Sequence, residues 1–134
     1  MPWFLGLLAE AYEKAGEWQK GLAAIAEAMN VVNKTGQALW GSYLHRLKGE
    51  LLLAVSKDNH AEADACFCQA IEIARRQSAK SWELRAATSL ARLWQKQGKK
   101  KEARQLLVEI YGWFTEGFDT RDLKEAKALL DELA

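Results

Sequence analysis

The segment from Ser81 to Phe114 contains two amphipathic helical patterns that are separated by one short turn. Apolar or small residues recur every three or four positions on either side of the turn, so each set shares one helix face. Gly98 and the lysines around it interrupt the pattern. Two helices joined by so few residues fold back antiparallel, which predicts a helical hairpin. The two sets of residues are Leu84, Ala87, Leu90, Ala91 and Trp94, and then Ala103, Leu107, Ile110 and Phe114.

The same pattern occurs in three copies along the chain. The copies read Leu5-x2-Leu8-Ala9-x2-Tyr12 with Gly21-x3-Ile25, His45-x2-Lys48-Gly49-x2-Leu52 with Ala63-x3-Phe67, and Ala87-x2-Leu90-Ala91-x2-Trp94 with Ala103-x3-Leu107. They resemble the tetratricopeptide repeat (TPR), whose pattern is W-x2-L-G-x2-Y followed by A-x3-F. The resemblance implies an all-α superhelix of stacked helix pairs. The copies are spaced more widely than the usual 34 residues, so we expect longer helices and a less regular superhelix.

Small residues occupy one equivalent position in each copy, namely Ala9, Gly49 and Ala91. A small side chain lets the two helices of a hairpin approach closely. Tryptophans at repeat-packing positions, Trp18, Trp82 and Trp94, are predicted to lie in the core.

Length and composition favour one almost wholly helical domain over residues 1–134. The chain has 134 residues, of which 49% are hydrophobic, and a single proline. The predicted elements are helical hairpins at about 3–34, 38–77 and 81–115, and a C-terminal capping helix at about 120–133. The capping helix has one apolar stripe, and its charged residues, Glu125 among them, are predicted to face water.

The net charge and the length of the apolar runs argue against nucleic acid and membranes as partners. A formal net charge of +1 gives no general attraction to nucleic acid or to an anionic membrane. No apolar run approaches 18 residues and no signal-peptide pattern is present, so we expect a cytoplasmic protein.

Three further stretches resemble the C-terminal TPR region of large bacterial signalling proteins: RLKGELLL (46–53), AKSWELRAATSLARLWQ (79–95) and YGWFTEGFDTRDLKEAKALLDEL (111–133). In such proteins a cyclase-type or regulatory domain is followed by an ATPase module and then by helical repeats. The resemblance implies that this chain is the tail of a longer polypeptide. It implies no activity for the tail itself.

No catalytic or cofactor motif is recognisable in the sequence. The patterns GxxxxGK[ST], HExxH and GxSxG are absent, and His45 and His60 fall on different predicted helices. Cys66 and Cys68 are two residues apart on one helix, so their side chains point about 200° apart. We expect one buried and one exposed thiol and no shared metal. The chain is therefore predicted to be non-enzymatic, with no cofactor and no metal.

In TPR proteins the first helix of each hairpin lines the inner groove. The resemblance therefore implies that seven positions of this chain face such a groove. Three cations there share one face of a helix, because they are spaced by seven and four residues, and they could hold a carboxylate-bearing peptide. The alternative is an ordinary solvated face whose arginines pair with nearby glutamates such as Glu50. The lysine and asparagine of TPR carboxylate clamps are missing, since Gly6 and Glu10 stand at the matching positions. The seven candidates are Tyr43, Arg46, Glu50, Arg85, Thr88, Arg92 and Lys96.

The main functional hypothesis is a scaffold that binds a protein or peptide segment, such as another domain of the same polypeptide. A second hypothesis is a small-molecule-sensing repeat domain of a transcriptional or signalling regulator, which a closed apolar pocket would favour. A homodimer through the N-terminal end is also expected, because no polar cap precedes the apolar first helix. The alternative is a monomer whose first helix packs onto its own hairpin. The predicted contact residues are Trp3, Phe4, Leu7 and Leu8.

Overall fold

A computed structural model of the chain describes residues 2–35, 41–114 and 120–133, without the side chains of residues 2–7, 32–35 and 57. The described part contains α-helices and no strand, so the predicted all-α class is confirmed. A short 3-10 turn, Lys57–Asn59, lies between the third and fourth helices. The helices are α1 (Pro2–Lys14), α2 (Trp18–Thr35), α3 (Gly41–Val55), α4 (His60–Arg76), α5 (Lys80–Lys96), α6 (Lys100–Tyr111) and α7 (Arg121–Leu133).

Consecutive helices pack against each other as pairs. Helix α1 contacts α2, α3 contacts α4, and α5 contacts α6, while α2 with α3 and α4 with α5 join one pair to the next. The odd-numbered helices also contact one another, α1 with α3, α3 with α5, and α5 with α7. Helices α1, α3, α5 and α7 therefore form a continuous layer, and the last of them also packs on α6.

Three helices end in the same way, with one residue in the left-handed region. These residues are Gly16 (φ 77°), Ser78 (φ 55°) and Gly98 (φ 82°). Each is followed by a backbone N–H that bonds the carbonyl five residues earlier at 2.8 Å, from Glu17, Ala79 and Lys99 respectively. These bonds satisfy carbonyl groups that a helix end leaves free. Glycine adopts this conformation without steric cost, whereas a serine does not.

The apolar faces of the helices meet in two main clusters. The larger joins α4 to α7 through fully buried residues such as Phe67, Leu84, Leu107 and Leu123. The smaller joins α1 to α3 through residues that include Ala9, Ile25 and Leu51.

The small residues of the repeat are buried where helices approach closely. Ala9 and Ala91 are completely buried. A Cβ atom on Gly49 would stand 2.6 Å from the ring of Phe67 on the adjacent helix. The predicted close approach is therefore confirmed at Gly49, and the burial of Ala9 and Ala91 agrees with the same role.

One predicted core residue is placed differently. Trp18 is 38% exposed, whereas Trp82 and Trp94 are partly buried. Trp18 is the first residue of α2, so it has neighbours along its helix face on one side alone. The prediction that it lies in the core was wrong for this reason.

Candidate functional site

The layer of odd-numbered helices carries a polar cavity of about 200 Å³ that is partly open to solvent. All four helices contribute side chains to it, and most of those side chains are charged. Five of the seven predicted groove residues are brought together here, and α1 and α7 supply the rest of the charges. The lining residues are Glu10, Arg46, Glu50, Arg85, Thr88, Ser89, Arg92, Arg121, Asp122 and Glu125.

Arg46 and Glu50 form an ion pair one turn apart on α3. The guanidinium donates to both carboxylate oxygens, at 3.2 and 3.3 Å, and it also lies 5.6 Å from the centre of the Tyr43 ring. The Ser89 hydroxyl of α5 donates to Glu50 at 3.0 Å. Glu50 therefore joins α3 to α5, and its pairing with an arginine is the feature expected of the alternative, an ordinary solvated face.

The arginines of α5 pair with carboxylates of α7. Arg85 Nε donates to Asp122 Oδ2 at 2.8 Å, and Arg92 Nη2 lies 3.7 Å from Glu125 Oε2. Arg121, at the start of α7, holds the other oxygen of Glu125 at 2.9 Å. Glu125 is therefore partly exposed, as a water-facing residue would be, but it also lies beside α5, a contact that the prediction did not include. The periodicity of α7 identified its apolar face but not the helix beside its charged face.

Two predicted groove residues contribute differently from the arginines. The Thr88 hydroxyl is buried and donates its hydrogen bond to the carbonyl of Leu84 at 2.8 Å. Its hydrogen-bond donor is therefore satisfied within α5. Lys96 is exposed at the end of α5 and lies outside the cavity lining.

Tyr43 borders the cavity through its contact with Glu10. Burial raises the pKa of Tyr43 well above its ordinary value, and the charge of Glu10, to which the hydroxyl is hydrogen-bonded, raises it further. The phenol therefore stays protonated at neutral pH and can donate to the Glu10 carboxylate. Its ring centre lies 6.4 Å from that of Trp82.

The α1 side of the cavity carries an excess of carboxylates. Burial raises the pKa of Glu13, and the negative charges of Glu50 and Glu10 raise it further, against the opposing charge of Arg46. The α1–α3 side is therefore acidic and the α5 side basic, with the carboxylates of α7 neutralising the basic side.

The predicted self-association surface falls largely outside the described side chains. Those of Trp3, Phe4 and Leu7 are not described, and Leu8 is partly buried. The N-terminal homodimer stays a prediction.

Metal and thiol chemistry find no support in the described residues. No group of three or more His, Cys, Asp and Glu side chains in this part of the chain could hold a metal ion. Cys66 is buried and Cys68 exposed, as their spacing predicted. Although Cys68 is exposed as a residue, neighbouring atoms partly desolvate its thiol, and this desolvation together with the hydrogen bond to Asp64 raises the pKa of Cys68 to about 11. The thiol therefore stays protonated at neutral pH, and a protonated thiol is a poor nucleophile.

Within the described ranges, none of the helices has both the length and the apolar character to cross a membrane. No protein-family model and no curated protein matches the sequence.

Proposed function

We propose that the chain is a non-enzymatic, TPR-like scaffold that binds a protein or peptide segment through the cavity of α1, α3, α5 and α7. The segment carries carboxylates and could belong to another domain of the same polypeptide. The three repeat copies and the contacts among the odd-numbered helices support the TPR-like superhelix of three hairpins and a capping helix.

One observation carries the proposal: Arg46, Arg85 and Arg92 line one cavity, and two of them already hold carboxylates from α7. That helix follows the third hairpin in the sequence and packs against it. Guanidinium groups that accept the carboxylates of one helix have the chemistry to accept those of another segment.

The size and polarity of the cavity favour a peptide over a small-molecule ligand. Small-molecule pockets usually enclose about 300–1,000 Å³ and are mostly apolar. The cavity here is smaller, at about 200 Å³, and its lining is dominated by charges. An open charged surface suits side chains that project from a bound segment. The small-molecule-sensing hypothesis therefore takes second place at this cavity.

The other parts of the proposal follow from the sequence. The near-zero net charge argues against nucleic acid and membrane surfaces as partners. A cytoplasmic location and an N-terminal homodimer belong to the proposal as well. The homodimer is checked by light scattering across a dilution series, with the double variant Trp3→Glu and Phe4→Glu expected to be monomeric.

The binding proposal is tested with a dye-labelled, terminally blocked hexaglutamate and fluorescence anisotropy. The double variant Arg85→Gln and Arg92→Gln should bind this peptide at least about tenfold more weakly than the wild type, because two charge-assisted contacts are lost. The matched control is Arg76→Gln with Arg104→Gln, which removes the same charge from exposed positions on α4 and α6.

The control variant should bind as the wild type does, and binding should weaken with added salt. Circular dichroism verifies that both variants remain helical. Full affinity after loss of Arg85 and Arg92 would rule out an acidic ligand at this cavity.

A further inference from the structure

The carboxylates of α7 form ion pairs with the same arginines that the proposed partner would bind. We call Arg85 and Arg92 the arginine stripe; they lie two turns apart on α5. Asp122 and Glu125 lie about one turn apart on α7 and contact the two arginines at 2.8 and 3.7 Å. Each arginine of the stripe therefore has a carboxylate beside it that comes from the same chain.

The position of α7 is fixed by its apolar face. Leu123, Ala126, Leu129 and Leu133 are all buried and belong to the larger core cluster. The helix is thus part of the core, and its carboxylates are held beside the stripe. A tethered group competes at an effective concentration in the millimolar range, so Asp122 and Glu125 compete with an external carboxylate even where each contact is weak.

The contacts themselves are weak and open to solvent. In the first pair the side chains of Arg85 and Asp122 are 42% and 26% exposed, and in the second pair those of Arg92 and Glu125 are 49% and 37% exposed. Each pair makes one contact, of 2.8 Å in the first pair and 3.7 Å in the second, and neither pair is bidentate. Ion pairs of this kind contribute little to stability, so the carboxylate side chains can rotate away while α7 stays in place.

We propose that Asp122 and Glu125 are an intramolecular competitor, so that a partner binds the arginine stripe only by replacing their carboxylates with its own. This inference rests on the proposed function. It specifies the kind of partner more closely, as a segment that presents two carboxylates spaced about one helical turn apart. It also means that the affinity of the groove is set by α7.

The experiment compares the wild type with the double variant Asp122→Asn and Glu125→Gln, using the same labelled hexaglutamate. The matched control is Glu109→Gln with Asp131→Asn, which changes the net charge equally at exposed positions on α6 and α7. An exposed ion pair corresponds to at most about a fivefold change in affinity. Since such pairs contribute about 0.2–1 kcal/mol each, we expect the α7 double variant to bind about two- to twenty-five-fold more tightly than the wild type, and the control to match the wild type.

A gain that disappears when Arg85→Gln and Arg92→Gln are added to the α7 double variant supports the inference, even where wild-type binding is too weak to measure. If the wild type binds and the α7 variant shows no gain, or the control gains as much, the competitor model is overturned and the proposed function stands. Failure of every variant to bind overturns both. Thermal melts check that α7 remains folded, and the two single variants, each expected to gain less, replace the double variant if it melts early.

Discussion

Gly49 of α3 lies directly against the ring of Phe67 on α4. A Cβ atom at position 49 would stand 2.6 Å from ring atom Cε1 and 2.9 Å from Cδ1, which is closer than carbon atoms approach in folded proteins. Phe67 is 1% exposed and packed in the larger core cluster, so its ring has no free space to move into. The distance between α3 and α4 therefore depends on the missing side chain of Gly49.

Gly49→Ala should destabilise the protein by about 1–2 kcal/mol. Alanine favours the helix by roughly 0.5–1 kcal/mol, but overpacking a tight core costs about 1–3 kcal/mol. The control is Gly41→Ala, where the new methyl group would meet the flexible end of Ile73 at 3.2 Å and should change stability little. Urea unfolding measures both. Equal midpoints for the two variants would contradict the close approach of Gly49 and Phe67.

Ala91→Leu should be more destabilising than Ala79→Leu. Ala91 is completely buried in the core formed by α4 to α7, and three added carbons there cost about 1–3 kcal/mol. Ala79 lies at the start of α5 and is only partly buried, so a larger side chain can extend toward solvent. Thermal melts measure both variants. Similar decreases in melting temperature would contradict the repeat alignment that places Ala91 beside its partner helix.

Ser78→Gly should stabilise the protein by about 1 kcal/mol. Ser78 ends α4 with a φ of 55°, a conformation that costs a residue with a side chain roughly 1–2 kcal/mol and costs glycine nothing. Part of this gain is lost because glycine has more freedom in the unfolded chain. The matched control, Ser81→Gly, lies within the first turn of α5 and should destabilise. A Ser78→Gly variant that melts below the wild type would contradict the strain.

The helices could be predicted from the sequence because their signals are local. Gly16 and Gly98 end helices where the periodicity stops, and the apolar stripes recur every three or four residues. The burial of Cys66 and exposure of Cys68 follow from the same local geometry. These patterns can be recognised in the sequence without knowing which helices pack against each other.

The contacts made by the charged faces were harder to predict. Five of the seven proposed groove residues line one cavity, because the repeat alignment identifies equivalent positions on α3 and α5. Arg85 and Asp122 are 37 residues apart in the sequence, and no repeat position relates them. Periodicity shows which residues share a face of α7, but not that Asp122 and Glu125 meet the arginines of α5.

Glu13→Gln should raise the melting temperature at neutral pH and leave it unchanged in acid. Burial and the nearby charges of Glu50 and Glu10 raise the pKa of Glu13 in the folded protein above its ordinary value of 4.5. The folded state therefore binds this proton more tightly than the unfolded state does, and the stabilisation that results is lost as the pH rises from the unfolded to the folded pKa. At about pH 7 the ionised carboxylate weakens the fold, and glutamine removes that cost. Near pH 4 and below, Glu13 becomes protonated in both states, so the melting temperatures of the two proteins should converge.

Glu27→Gln, at an exposed position on α2, serves as the control and should melt as the wild type does at both pH values. Thermal melts at about pH 7 and about pH 4 measure the effect. An offset of equal size at both pH values would mean that the substitution acts through packing and not through the charge of Glu13.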